Sequence, residues 1–173
     1  MKQQQSDASN GDALPVMVSS SPACRQAGTM HVDPAWRIGI VYATYYKEET
    51  DRMVENALTV LRHFGIYDDR ISLHPVSGAF EVPLLGAALC KQGRVDALIG
   101  LGIVVEGETH HARLVAENAA RGMMDVQTKY ALPFVFEVLY VDDIALARER
   151  LMKGADAARC ALHSLALLAK LQS

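Results

Sequence analysis

The chain is short of the features that most readily assign a function. Its three cysteines, Cys24, Cys90 and Cys160, stand far apart in 173 residues and form no CxxC pair. Neither a disulfide framework nor a zinc site is expected from them. Charge of one sign is scarce too: a formal net charge of −3 gives no electrostatic reason to expect nucleic acid or an anionic membrane surface as partner. No apolar run reaches the roughly 18–20 residues that span a bilayer. The first residues lack a basic segment followed by an apolar core, so no secretory leader is expected, and a cytoplasmic protein with reduced thiols is the simplest expectation. GxxxxGK[ST] is absent, and GLG followed by VV is no dinucleotide fingerprint. Between the apolar runs there are no Asn-Gly-type turn dipeptides of the kind that join antiparallel hairpins.

What is present is an ordinary globular composition, with 50% hydrophobic and 21% charged residues, long enough for one domain and short for two. Residues 1–34, including MKQQQSDASNGDA and SSSPACRQAGT, carry no sustained period and are expected to form a flexible N-terminal extension. Residues 35–173 then make the folded domain. There RIGIVYA, ISLHPV, ALIGLGIVV and PFVFEVLYV read as four buried strands, ALIGLGIVV being the most apolar and central. Helical spacing follows each of them: ETDRMVENALTVLRHFG closed by Gly65, EVPLLGAALCKQG ending at Gly93, HHARLVAENAARGMMDVQTKY, and finally DDIALARERLM with ADAARCALHSLALLAKL. Strands alternating with helices predict an α/β fold: a single domain of three layers, with a four-stranded parallel sheet flanked by helices. Met123, Met124 and His74 are expected in the core, and His63 at a helix end where a cation suits the dipole.

In open parallel sheets, ligands bind beyond the carboxyl ends of the strands. That rule collects Thr44, Tyr45 and Tyr46; Ser77, Gly78, Ala79, Phe80 and Glu81; the stretch VVEGETHHAR at 104–113; and Phe136 and Glu137. Aromatic surfaces, a carboxylate, a glycine-containing turn and a histidine pair suit a planar, hydrogen-bonding small molecule better than a polymer. Gly107 permits a tight turn and Thr109 can cap the helix that follows, whose free amides would favour an anion. Glu106 and Glu108 oppose an anion unless they point to solvent. Adjacent residues on a helix point about 100° apart, so His110 and His111 are not expected to share a metal. An acid/base role for one of them fits imidazole chemistry near neutral pH, and two solvent-facing polar residues remain the plain alternative.

Together these pieces resemble the lumazine synthase family. The resemblance is carried by IGIV plus an aromatic after the first strand, GAFEVP after the second, LG-x-V-V-x-G-x-T-x-H after the third, LPFVFEVL, and KGADAARCAL in the last helix. It runs in order from about Arg37 to the C-terminus and implies a flavodoxin-like layered fold. It implies condensation of 5-amino-6-(D-ribitylamino)uracil with 3,4-dihydroxy-2-butanone 4-phosphate, giving 6,7-dimethyl-8-ribityllumazine, phosphate and water with no metal or organic cofactor. By position, Tyr45 would stack on the pyrimidine, Ala79, Phe80 and Glu81 would bind the ring and ribityl chain, and Ile103, Val104 and Val105 would contact the ring. Glu108, Thr109 and Arg150 match the phosphate site, and Lys153 joins them when a gap is allowed. His111 matches the proton-shuttling histidine. Phe136 and Arg150 would come from a neighbouring subunit, since family sites form between members of a pentamer.

The chain departs from the family pattern at several of these positions. TYY stands where an Arg-aromatic-Asn sequence is common, Ile103 where Thr is common, Glu106 where many members have a basic residue, and Glu108 in place of a small one. Arg113 replaces an acidic residue, and RERLMKG is shorter than the usual segment. Against an active synthase these departures set one alternative, a weakly catalytic paralogue that binds a flavin or lumazine or serves as an assembly scaffold.

Overall fold

The protein's computed structural model describes residues 30–172. The extension expected over residues 1–34 lies, except for its last five residues, outside this range. Of those five, Met30 and Val32 pack against the main core.

Strands β1 (Ile38–Ala43), β2 (Ile71–Val76), β3 (Ala97–Val105) and β4 (Phe134–Val141) form one sheet in the order β2-β1-β3-β4, and every pairing is parallel. Helices α1 (Lys47–His63), α2 (Val82–Lys91), α3 (His111–Tyr130), α4 (Ile144–Arg148) and α5 (Lys153–Gln172) complete the chain. The period of two along the strands decides which helices they meet. Ile38 and Ile40 of β1, with Ile99, Leu101 and Ile103 of β3, share a core with Met53, Ala57 and Leu61 of α1 and with Ala158, Ala161 and Leu162 of α5. Val41, Leu98 and Phe134 point the other way, onto Val82 and Leu89 of α2 and Met123 and Val126 of α3. Both faces of β3 are therefore covered, which explains its unbroken apolar run.

The edges differ from the expectation of four buried strands. β2 is only half-buried, with Leu73 and Pro75 exposed. An edge strand tolerates proline because one row of its backbone groups has no ladder to complete. His74 is half-buried, not a core group, and its Nε2 lies 2.9 Å from Ser72 Oγ. On α3, Met123 is buried and Met124, one step round the helix, is exposed; adjacent helical positions cannot both face the same sheet. β4, the other edge, leaves Phe136 and Tyr140 open. No helix among the described residues is long and apolar enough to cross a membrane.

From β1 the chain passes to β2 on one side, then returns to β3 on the other. The loops beyond β1 and β3 therefore diverge and leave a crevice at the point where strand order reverses.

Candidate active site

A cleft of about 710 Å³ opens at that crevice. The loop after β1 supplies Tyr45 and Tyr46, whose rings meet edge to face at 5.1 Å. Tyr45 is 77% exposed and free to receive a planar ligand on its face. Opposite stands the 3-10 turn Ala79–Glu81, which places Phe80 at the rim and Ala79 at the floor. Glu81 reaches back so that its Oε2 accepts from the Gly78 amide at 2.9 Å, an arrangement that caps the turn. Its second oxygen has no protein partner among the described residues and remains available to a ligand hydroxyl. The end of β3 contributes Ile103, Val104 and Val105.

The start of α3 answers for the histidine pair. His111 lines the cleft and His110 does not, as the angular step between adjacent helical residues requires. The N-cap is His110, not Thr109; Thr109 Oγ1 instead accepts from the His111 amide at 3.4 Å, a long contact. Glu108 and Thr109 are exposed beside the cleft, outside its lining. Glu106 does not point freely to solvent. It is half-buried, and its Oε2 has no hydrogen-bond partner. Among the described residues, no three His, Cys, Asp or Glu side chains are arranged to hold a metal ion.

Three lining residues escape a motif-based reading: Leu114, Val115 and Asn118. Their signal was present as spacing, since 114, 115 and 118 lie three, four and seven positions beyond His111 and so share its face of the helix.

Three predicted residues are not brought to this cleft by one chain. Phe136 stands half-open on edge strand β4. Arg150, in the turn after α4, donates from Nη1 to the Leu146 carbonyl at 2.6 Å. Lys153 begins α5, with Nζ 3.6 Å from Asp156 Oδ2. Near Lys153, burial pushes the Glu137 carboxyl up to about 7; Lys153 pulls it down and Asp156 adds to the rise.

Comparison with known proteins agrees with this geometry. Residues 35–169 match the family model described as 6,7-dimethyl-8-ribityllumazine synthase. The chain is 33% identical over 145 residues to the 6,7-dimethyl-8-ribityllumazine synthase of Protochlamydia amoebophila (strain UWE25), covering 81% of this chain and 84% of that protein. It is 38% identical over 114 residues to the protein of that name from Desulfatibacillum aliphaticivorans, covering 66% and 74% of the two chains. With the parallel sheet, the crevice and these matches in agreement, the chain belongs to the 6,7-dimethyl-8-ribityllumazine synthase family, transferases of riboflavin biosynthesis.

Proposed function

We propose that the protein condenses 5-amino-6-(D-ribitylamino)uracil with 3,4-dihydroxy-2-butanone 4-phosphate to 6,7-dimethyl-8-ribityllumazine, releasing phosphate and water. The observation that carries this reading is the meeting of Tyr45, Phe80, Glu81 and His111 around one crevice. Tyr45 offers a stacking face to the pyrimidine, and Phe80 closes the opposite side. Glu81 accepts from ribityl hydroxyls through its free oxygen. Backbone groups of Ile103, Val104 and Val105 meet the ring edge, and Ala79 leaves room for it.

The phosphate of the second substrate lies at the start of α3, beside Glu108 and Thr109, where helix amides favour an anion. Arg150 reaches it from a neighbouring copy, with Lys153 adding charge, and Phe136 of that copy completes the wall of the pyrimidine pocket. The working unit is accordingly a homo-oligomer built on pentamers, with sites between subunits and two small-molecule substrates.

His111 then moves protons. Attack of the amine on the ketone gives an imine with loss of water. Loss of phosphate, ring closure and a second loss of water follow, and each step transfers a proton at an atom close to the imidazole. Holding two reactants together supplies much of the remaining rate. No residue here needs a metal or organic cofactor to do this work.

The test is to mix the purified protein with both substrates and follow the lumazine optically beside a His111→Ala variant. Turnover reduced by about 10²–10⁴ in the variant supports the shuttle. An equally active variant removes His111 from the mechanism, and no turnover by the wild type overturns the synthase reading.

A further inference from the structure

The loop between β1 and α1 is fastened at both ends and open between them. Thr44 donates twice to the Val76 carbonyl at the end of β2, from its amide at 2.9 Å and from Oγ1 at 3.1 Å. Tyr46 is the N-cap of α1, and its carbonyl accepts from the amide of fully buried Thr50 at 2.9 Å. Tyr46 is also half-buried, packs against the main core and lines the cleft. Tyr45 stands between these two anchored residues with its side chain exposed. Among the described residues its ring meets one other, that of Tyr46, at 5.1 Å between centroids and with the planes 71° apart.

An exposed aromatic side chain turns among several rotamers, and stacking selects one of them. A ligand that must itself order the ring binds more weakly than one that finds it ordered. The edge-to-face pair supplies that order in the free protein, because the positive rim of one ring is drawn to the negative face of the other. Such a pair is worth roughly two- to tenfold in an equilibrium constant. The support runs in one direction. Tyr46 is set by the core and by α1, and Tyr45 is set by Tyr46.

We propose that Tyr46 is a positioning residue for Tyr45: its core-anchored ring holds that of Tyr45 in the orientation that stacks on a planar ligand. The proposal rests on the reading of Tyr45 as the stacking face for the pyrimidine. A side chain at position 46 without a ring leaves Tyr45 free to turn. The pyrimidine is then bound less tightly, and the whole of that loss passes through Tyr45.

The probe is 5-amino-6-(D-ribitylamino)uracil, titrated calorimetrically into the full-length protein without the butanone phosphate, so that binding is read apart from turnover. The wild type is compared with Tyr46→Leu, Tyr46→Phe, Tyr45→Ala and the double variant of Tyr45→Ala with Tyr46→Leu. Leucine keeps apolar bulk against the core but presents no ring, and phenylalanine keeps the ring without its hydroxyl. Thermal melts establish that each protein is folded, and Tyr46→Ala replaces the leucine variant throughout if that one is not. The dissociation constant should rise roughly three- to tenfold in Tyr46→Leu and stay within about twofold of the wild type in Tyr46→Phe. With Tyr45→Ala already present, adding Tyr46→Leu should change it by less than about twofold, because the pair is already broken. An equal loss in both backgrounds overturns the proposal, since Tyr46 then acts without Tyr45. So does a Tyr46→Leu variant that binds like the wild type, or a Tyr46→Phe variant as weak as Tyr46→Leu. Each of these outcomes leaves the synthase reading standing. A Tyr45→Ala variant that binds like the wild type removes the stacking face, and the proposal falls with it. Absence of pyrimidine binding by the wild type overturns the synthase reading and the proposal together.

Discussion

Glu81 serves its own backbone besides the substrate role proposed for it. One carboxylate oxygen caps the turn at Gly78, and the residue lines the cleft. The two duties separate by substitution. Glu81→Ala leaves the Gly78 amide without its partner and should cost about 1 kcal/mol of stability. It should also raise KM for the pyrimidine substrate by about tenfold, the loss of a hydrogen bond to a charged group. Glu81→Gln keeps an acceptor for the amide, so it should melt close to the wild type while still binding the pyrimidine more weakly. Initial rates and thermal melts check the pair. A Glu81→Gln variant with unchanged KM would show that the free oxygen meets no substrate hydroxyl. At this scale legibility was uneven. GAFEVP and the G-x-T-x-H turn marked Phe80, Glu81 and His111 through the family resemblance that they carry; residue type and spacing alone left the histidine pair open. The burial of Glu106 and the exposure of Met124 were hidden, because residue type alone does not set the rotation of a helix or the path of a loop.

Elements were easier to read, because burial on two sides or one leaves a different mark. β3 is an unbroken apolar run, and α1 shows Met53, Ala57, Val60 and Leu61 at helical spacing. The order of strands left no such mark, so the edge positions of β2 and β4 became visible only in three dimensions. Two predictions belong here. Between β4 and α5, the Glu137 carboxyl holds its proton up to about 7, against an ordinary value of 4.5. Folding therefore takes up a proton between those pH values, and stability falls as pH rises from about 4.5 to about 7. Below that window there is no penalty, and above it the full one applies, at most about 3 kcal/mol before discounting for its exposed part. Glu137→Gln should accordingly melt higher than the wild type at pH 8 and lose that advantage near pH 4.5.

Between α1 and α4, Arg148 donates to the buried Glu49 carboxylate at 2.8 Å. Burial works to raise the Glu49 carboxyl, but the bond from Arg148 and its neighbouring charge hold it below the usual range. Arg148→Met leaves that carboxylate without its partner, a cost of about 1–3 kcal/mol. A variant melting like the wild type at pH 7 would show that water replaces the arginine without loss.

For the molecule as a whole, the residues assigned to one reaction lie on two separate surfaces of the chain. Tyr45, Phe80, Glu81 and His111 line the cleft, whereas Phe136 and Arg150 lie outside it, on the β4 edge and in the turn after α4. The β4 edge is eight residues long and leaves Phe136 and Tyr140 exposed, and such an edge invites a partner unless something covers it. Exposed Phe80, Leu84 and Leu114 near the cleft offer an apolar surface of their own. If one copy's β4 edge seats against the next copy's cleft, around a closed ring, every copy gives one half of a site and receives the other. Complementation tests this directly. His111→Ala and Arg150→Ala are each expected to be nearly inactive as pure proteins. Co-expressed in equal amounts, they form mixed rings in which roughly a quarter of the interfaces join an intact cleft to an intact arginine. Activity should then rise to about that fraction of the wild type, while either protein alone stays silent. A mixture no more active than its components would place Arg150 in the same copy as His111, or outside the reaction altogether. Sedimentation of the same samples separates the cases, because a mixture that assembles but stays inactive rules out sharing and one that fails to assemble rules out the ring.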